Sequence, residues 1–174
     1  MLTIALMGCG RWGAHILRDL KTSGVRVVAV ARDPRSVARA RDGGADDVVA
    51  SVDALPTVDG AVVATPTSTH ADVVLRLAPL GIPIFCEKPL TDDVTAAERV
   101  VEAAGERVYV MDKWRYHPGV RALAEIARSG ELGPVSGVVT HRIGWGHPHP
   151  DADPAWILLP HDLAIGLEIL GDVP

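Results

Sequence analysis

A doubly wound α/β domain built on a parallel sheet is the fold this sequence predicts, and three observations predict it. Short β-branched apolar runs alternate with longer stretches of helical spacing through the first two thirds of the chain, the alternation that lays helices on both faces of a parallel sheet. A Gly-x-Gly-x-x-Gly run directly follows the first of those apolar runs. At 174 residues, 48% of them hydrophobic, the chain can bury one full core and part of a second.

The strands are expected at Leu2 to Met7, Val25 to Ala31, Asp47 to Ala50, Ala61 to Ala64, Ile84 to Cys86 and Val108 to Met111. Helices are expected between them near Trp12 to Lys21, Arg35 to Arg41, Thr69 to Ala78 and Asp93 to Ala104. In the last of these, Val94, Ala97, Val101 and Ala104 recur at helical spacing, and Thr91, Asp92 and Asp93 supply the groups a helix N-terminus favours. Six strands with right-handed crossovers make one domain, residues 1–113.

Beyond Met111 the pattern changes. A helix at Gly119 to Arg128 ends in the Ser129-Gly130 stop signal, and a strand follows at Val135 to Ile143. Then come a loop rich in Gly, His and Pro and a last helix at Asp162 to Leu170. Residues 114–174 therefore read as the incomplete opening of a second, α+β domain.

Charge and composition exclude several classes. A formal charge of −5 with scattered arginines gives no basic stripe for nucleic acid. No apolar run approaches the roughly 18 residues of a bilayer span. The start of the chain does not resemble a secretory signal, and Cys9 and Cys86 are too few and too far apart for a disulfide framework or zinc site. Reduced thiols in a cytoplasm are the expectation.

In Gly8-Cys9-Gly10-Arg11-Trp12-Gly13, Gly8 permits a tight turn and Gly10 lets the backbone approach a pyrophosphate. Gly13 lets helix and strand pack, with the pyrophosphate at Gly10 to Trp12. The second strand closes at Arg32, 19 positions after Gly13, where NAD-binding domains usually place an acid. A guanidinium pairs with a 2′-phosphate instead, which tilts the choice between NADP and NAD toward NADP. The alternative is a solvated Arg32 beside an Asp33 that does the acid's work one position late.

The Ala64-Thr65-Pro66-Thr67-Ser68-Thr69-His70 loop follows a strand's carboxyl end, so Thr65 and Pro66 are candidates to line the nicotinamide half of the site. Ser68 or Thr69 is also a candidate N-cap, and His70 reads as an exposed imidazole in the first helical turn rather than a catalytic group. Cys86-Glu87-Lys88-Pro89-Leu90 lies at another such end, where the Lys88 ammonium could polarise or protonate a carbonyl. Pro89 fixes that turn, and a cis Lys88-Pro89 bond is the expectation. His147, His149, Asp151 and Asp153 carry metal-ligand chemistry, yet nothing nearby completes a rigid set, and no metal is expected.

The GCGRWG start, the ATPTSTH loop, EKPL, KWRYHPGVRAL and SGELGPVSGV, in this order and spacing, resemble the glucose-fructose oxidoreductase, inositol dehydrogenase and MocA family over essentially the whole chain. The resemblance implies an NAD- or NADP-binding Rossmann domain with Gly8, Gly10, Arg11, Trp12, Gly13, Arg32, Thr65, Pro66, His70, Glu87 and Lys88 around the cofactor. It further implies a C-terminal domain that binds a sugar-like substrate and often mediates oligomers, with Lys88 acting at the substrate hydroxyl or carbonyl. His161 matches the family's catalytic histidine, but Ile157 stands where the family commonly has an aspartate. Either His161 with Lys88 suffices, or Asp162 takes a displaced part, or the oxidoreductase chemistry is lost. Three classes follow: an NAD(P)-dependent oxidoreductase of sugar or polyol alcohols, a dinucleotide-binding protein without a full active site, and a lyase or hydrolase that uses the nicotinamide transiently.

Overall fold

The apolar runs form a sheet in which the first, second and fourth runs are largely buried, while Asp47, Phe85 and Tyr109 in the other three are exposed. The computed structural model describes residues 1–141 and 153–171, and the chain divides into two compact units, Met1–Met111 and Asp112–Pro174. In the first unit the chain runs β1 (Thr3–Met7), α1 (Arg11–Thr22), β2 (Arg26–Val30), α2 (Pro34–Asp42), β3 (Asp47–Val49), β4 (Gly60–Val63), α3 (His70–Leu77), β5 (Ile84–Cys86), α4 (Val94–Ala104) and β6 (Val108–Val110). All pairings are parallel, in the order β3-β2-β1-β4-β5-β6. All six expected strands are present, with ends that differ by a residue.

Successive strand residues face opposite ways, and each face has its own core. Ala5 and Met7 join Val63, Val74, Leu77, Ile84 and Val100 on one side, while Leu6 joins Leu17, Val27, Ala29 and Ala40 on the other. Leu6, Leu17 and Leu77 are fully buried, each stabilising by about 1.5–3 kcal/mol relative to exposure. Both cysteines are buried free thiols. Burial, with a smaller contribution from Glu87, pushes the Cys86 thiol up to about 12, so it packs as a neutral apolar group.

Register levels the carboxyl ends. Met7 lies opposite both Val30 and Val63, and Val63 lies opposite Cys86. The loops after β1, β2, β4 and β5 therefore emerge along one edge, on either side of the point where the strand order reverses, the place where such sheets bind ligands.

The second unit contains α5 (Pro118–Ser129) and α6 (Pro154–Leu170). They bury Val120, Ala124, Ile157 and Ala164, and Arg115 pairs with Glu168 at 3.3 Å. Gly130 closes α5 at φ 73°, as the Ser129-Gly130 signal implied. Two expectations need correction. Residues 135–141 form no strand: they are exposed, and among the described residues no neighbouring strand offers them a ladder to join. Arg142 and Ile143 lie outside the described residues. The last helix begins at Pro154 rather than Asp162, because Asp153 caps it by accepting from the Ala155 amide at 2.8 Å and Pro154 fits the first helical position. The internal Pro160, which resembles a helix break, obscures that start. Among the described residues no helix is long and apolar enough to cross a membrane.

Candidate functional site

The first loop is shaped by two glycines. Gly8 turns with φ +88°, left-handed backbone that favours glycine, and its amide donates to the Val30 carbonyl at 3.1 Å. A Cβ on Gly13 would sit 2.2 Å from the Gly8 carbonyl oxygen, so only glycine lets α1 start so close beneath the turn. Gly10 is the N-cap of α1, and nothing lies within 4 Å of where its Cβ would be. The first turn of α1 holds no acidic residue and its cap makes no side-chain hydrogen bond. Its leading amides and dipole are thus available to an anion beside the exposed Arg11 and Trp12.

Arg39 also serves this loop, and sequence reasoning missed it. Its Nε donates to the Cys9 carbonyl at 2.9 Å, and a terminal nitrogen donates to the Ser36 hydroxyl at 3.1 Å. One more arginine on a polar helix carries no local sign of a contact made 30 positions away.

After β2, the exposed Arg32 donates from Nε to the Ala50 carbonyl at 3.0 Å. Asp33 caps α2, one carboxylate oxygen accepting from the Arg35 and Ser36 amides at 3.1 and 3.0 Å. Hydrogen bonds from the Ser36 hydroxyl and then from the Ser36 and Arg35 amides hold its carboxyl below the usual Asp value. The acid one position late is therefore employed in starting a helix.

After β4, Thr67–Thr69 form a 3-10 turn before α3. Thr69 occupies the N-cap position without capping; its hydroxyl donates to the Pro66 carbonyl at 2.7 Å and approaches the Thr65 hydroxyl at 2.9 Å. The expectation of an exposed His70 is wrong. The ring is 1% exposed, with Nδ1 2.8 Å from the Pro89 carbonyl oxygen and Nε2 2.8 Å from that of Thr65. The strand-to-helix turn folds the ring inward, between the Thr65 carbonyl five positions before it and the Pro89 carbonyl 19 positions after it.

After β5, the half-buried Glu87 and Lys88 follow in a loop closed by a cis Lys88-Pro89 bond. The Glu87 carboxylate accepts from the Trp12 indole Nε1 and, at 3.1 Å, from the Lys88 backbone amide. The structure thus brings together three of the predicted segments: the glycine loop through Trp12, the Thr65 loop through His70, and the Lys88 loop through Glu87 and Pro89.

His161 lies in the second unit, buried on α6, its ring edge-on to Trp114 at a centroid distance of 6.4 Å. Ile157, one turn earlier on the same helix, is buried as well, so the position four before the histidine shares its face and carries no carboxylate. His147, His149 and Asp151 lie outside the described residues, and Asp153 serves as the α6 cap.

The family model described as "Oxidoreductase family, NAD-binding Rossmann fold" matches residues 2–111. Inositol 2-dehydrogenase of Streptomyces avermitilis is 36% identical over 155 residues, 82% of this chain and 45% of that protein. Inositol 2-dehydrogenase 2 of Saccharopolyspora erythraea is 32% identical over 187 residues, 98% of this chain and 54% of that protein. Among solved structures, a myo-inositol dehydrogenase from Corynebacterium glutamicum is 31% identical with a TM-score of 0.65, over 76% of this chain and 42% of that one. The chain spans about half the length of the curated relatives it matches.

Proposed function

This chain belongs to the oxidoreductase family with an NAD-binding Rossmann fold, and from that premise we propose that it transfers a hydride between a nicotinamide dinucleotide and a secondary alcohol or ketone of a polyol or sugar-like substrate. The observation that carries this reading is the hydrogen-bonded assembly of the Trp12, Thr65 and Lys88 loops at one edge of the sheet. The nicotinamide supplies the acceptor or donor of the hydride. The open backbone at Gly10 and the leading amides of α1 hold the pyrophosphate, and Thr65 and Pro66 line the nicotinamide half. Lys88 takes the hydroxyl proton as the alcohol carbon gives up its hydride, or returns a proton to the carbonyl oxygen in the reverse direction. Arg32, at the carboxyl end of β2, favours NADP over NAD. His161 is the second candidate for acid–base work, by its match to the family's histidine. The relatives named inositol 2-dehydrogenases support a cyclic polyol as the substrate, and the leucines exposed along α6 (Leu158, Leu159, Leu163, Leu167) suit association of copies through the second unit. The reading places the protein in the cytoplasm, with its two buried thiols reduced.

Lys88→Met tests the assignment, since it keeps much of the apolar stem and removes the proton. Dinucleotide binding is expected to survive, while turnover of myo-inositol and related polyols, followed by nicotinamide absorbance, falls by about 10²-fold or more. An active Lys88→Met variant would shift the role to His161. A second reading, dinucleotide binding without turnover, is favoured by one observation, the buried Ile157 where a carboxylate would accompany His161. Binding by the unaltered chain with no turnover across the polyol panel would establish it.

A further inference from the structure

The two loops that flank the proposed reaction centre contain Pro66 and Pro89, residues with no backbone N–H to donate. The carbonyls of Thr65 and Pro89 instead meet one buried side chain. His70 is the first residue of α3, a helix anchored in the sheet's core by Val74 and Leu77, so its ring stands on a rigid base. Nδ1 lies 2.8 Å from the Pro89 carbonyl oxygen and Nε2 2.8 Å from that of Thr65; both oxygens only accept, so a neutral ring donates to one of them, its tautomer deciding which, and an imidazolium donates to both. At 1% exposure no bulk water competes for these contacts. The Thr69 hydroxyl secures the same loop at Pro66.

We propose that His70 is a positioning residue that fixes the Lys88 loop against the Thr65 loop, so that the proton-transfer group and the nicotinamide-facing backbone keep one geometry. The inference rests on the reading of Lys88 given above. A misplacement of about 1 Å at a reacting group costs on the order of 10²-fold in rate, which makes a two-loop brace consequential although it touches no substrate. A histidine that merely fills the core would affect stability and leave both loops alike.

The two arms can be separated. Asn places an amide donor near the Nδ1 position and Gln near Nε2, so His70→Asn keeps the Pro89 arm and His70→Gln the Thr65 arm. With circular dichroism confirming the fold, His70→Phe is expected to lower kcat by roughly 10- to 100-fold and also weaken NADPH binding. His70→Gln loses kcat by about tenfold or more with dinucleotide affinity kept, and His70→Asn retains kcat while losing affinity. Unchanged kcat and affinity in His70→Phe, or parallel losses in all three variants that track only a lowered Tm, would overturn the proposal. A readout free of turnover comes from the NMR signal of reductively ¹³C-methylated Lys88, identified by its loss in Lys88→Arg. It should stay in place in His70→Asn and move in His70→Gln and His70→Phe, and identical signals in all three would overturn the brace. If these shifts occur but the unaltered chain turns over no polyol, the reaction assignment fails and the positioning role stands.

Discussion

On the reading proposed above, Arg32 would choose between dinucleotides by what a guanidinium cannot do. It has five donors and no acceptor, so it pairs with a 2′-phosphate but cannot receive a ribose hydroxyl proton, while the neighbouring Asp33 is engaged in capping α2. Arg32→Asp is expected to weaken NADP binding by about 1.5–3 kcal/mol, the value of a charge-assisted contact, and to improve NAD binding, both read by fluorescence titration of the reduced dinucleotides. Equal losses for both would assign Arg32 to the fold alone. Residues of this kind are legible in a sequence when their partners are local or their geometry repeats. The roles of Gly8 and Gly13 follow from spacing because the turn they build is six residues long. His70 and Arg39 are not legible in this way, since the Pro89 and Cys9 carbonyls they meet lie 19 and 30 positions off and only the folded sheet brings them near.

At the scale of elements, α2 shows how a cap connects sequence to pH. Asp33 precedes Pro34, a start signal with a mechanism. Asp33→Ala should lower Tm by a few degrees near neutral pH, whereas Asp33→Asn, which keeps an acceptor, should lose less. Because the folded carboxyl titrates below its usual value, its stabilisation is present above the unfolded pKa and lost as pH falls through the lower, folded one. The Tm gap between parent and Asp33→Ala should accordingly close in acid, and a gap independent of pH would refute the cap's contribution. The central strands β1, β2 and β4 were legible because burial on both faces writes continuous apolar runs, and β3, β5 and β6 because short apolar runs recur between helical stretches. The strand expected at Val135 to Ile143 was not, because an apolar run becomes a strand only where a neighbour completes its ladder. The first turns of α6 were hidden by Pro160, whose cost to a helix local reasoning weighs without seeing the packing of Ile157 and Ala164 that opposes it.

At the scale of the molecule, both apolar clusters lie wholly within residues 1–111, while among the described residues the second unit buries few apolar side chains and leaves Trp156, Leu158 and Leu159 exposed. A 1–111 fragment is therefore expected to unfold cooperatively in urea and to bind NADPH within about tenfold of the full chain, whereas 112–174 alone should show no cooperative transition. A non-cooperative 1–111 would contradict this division. The order of the strands also bears on how the molecule is made. β1 precedes the other five strands of the sheet, yet it lies at the centre, and Ile4 meets its partner Gly60 only 56 positions later. At ribosomal rates of about 5–20 residues per second, the nascent chain spends roughly 3 to 11 seconds with that side of β1 unpaired. Closing so long a loop makes this pairing slower than that of β1 with β2, whose partners Thr3 and Arg26 lie 23 positions apart. Over that interval Ala5 and Met7 are open to chaperones, which makes the middle of the sheet, rather than its rims, the part most exposed to misassembly during birth.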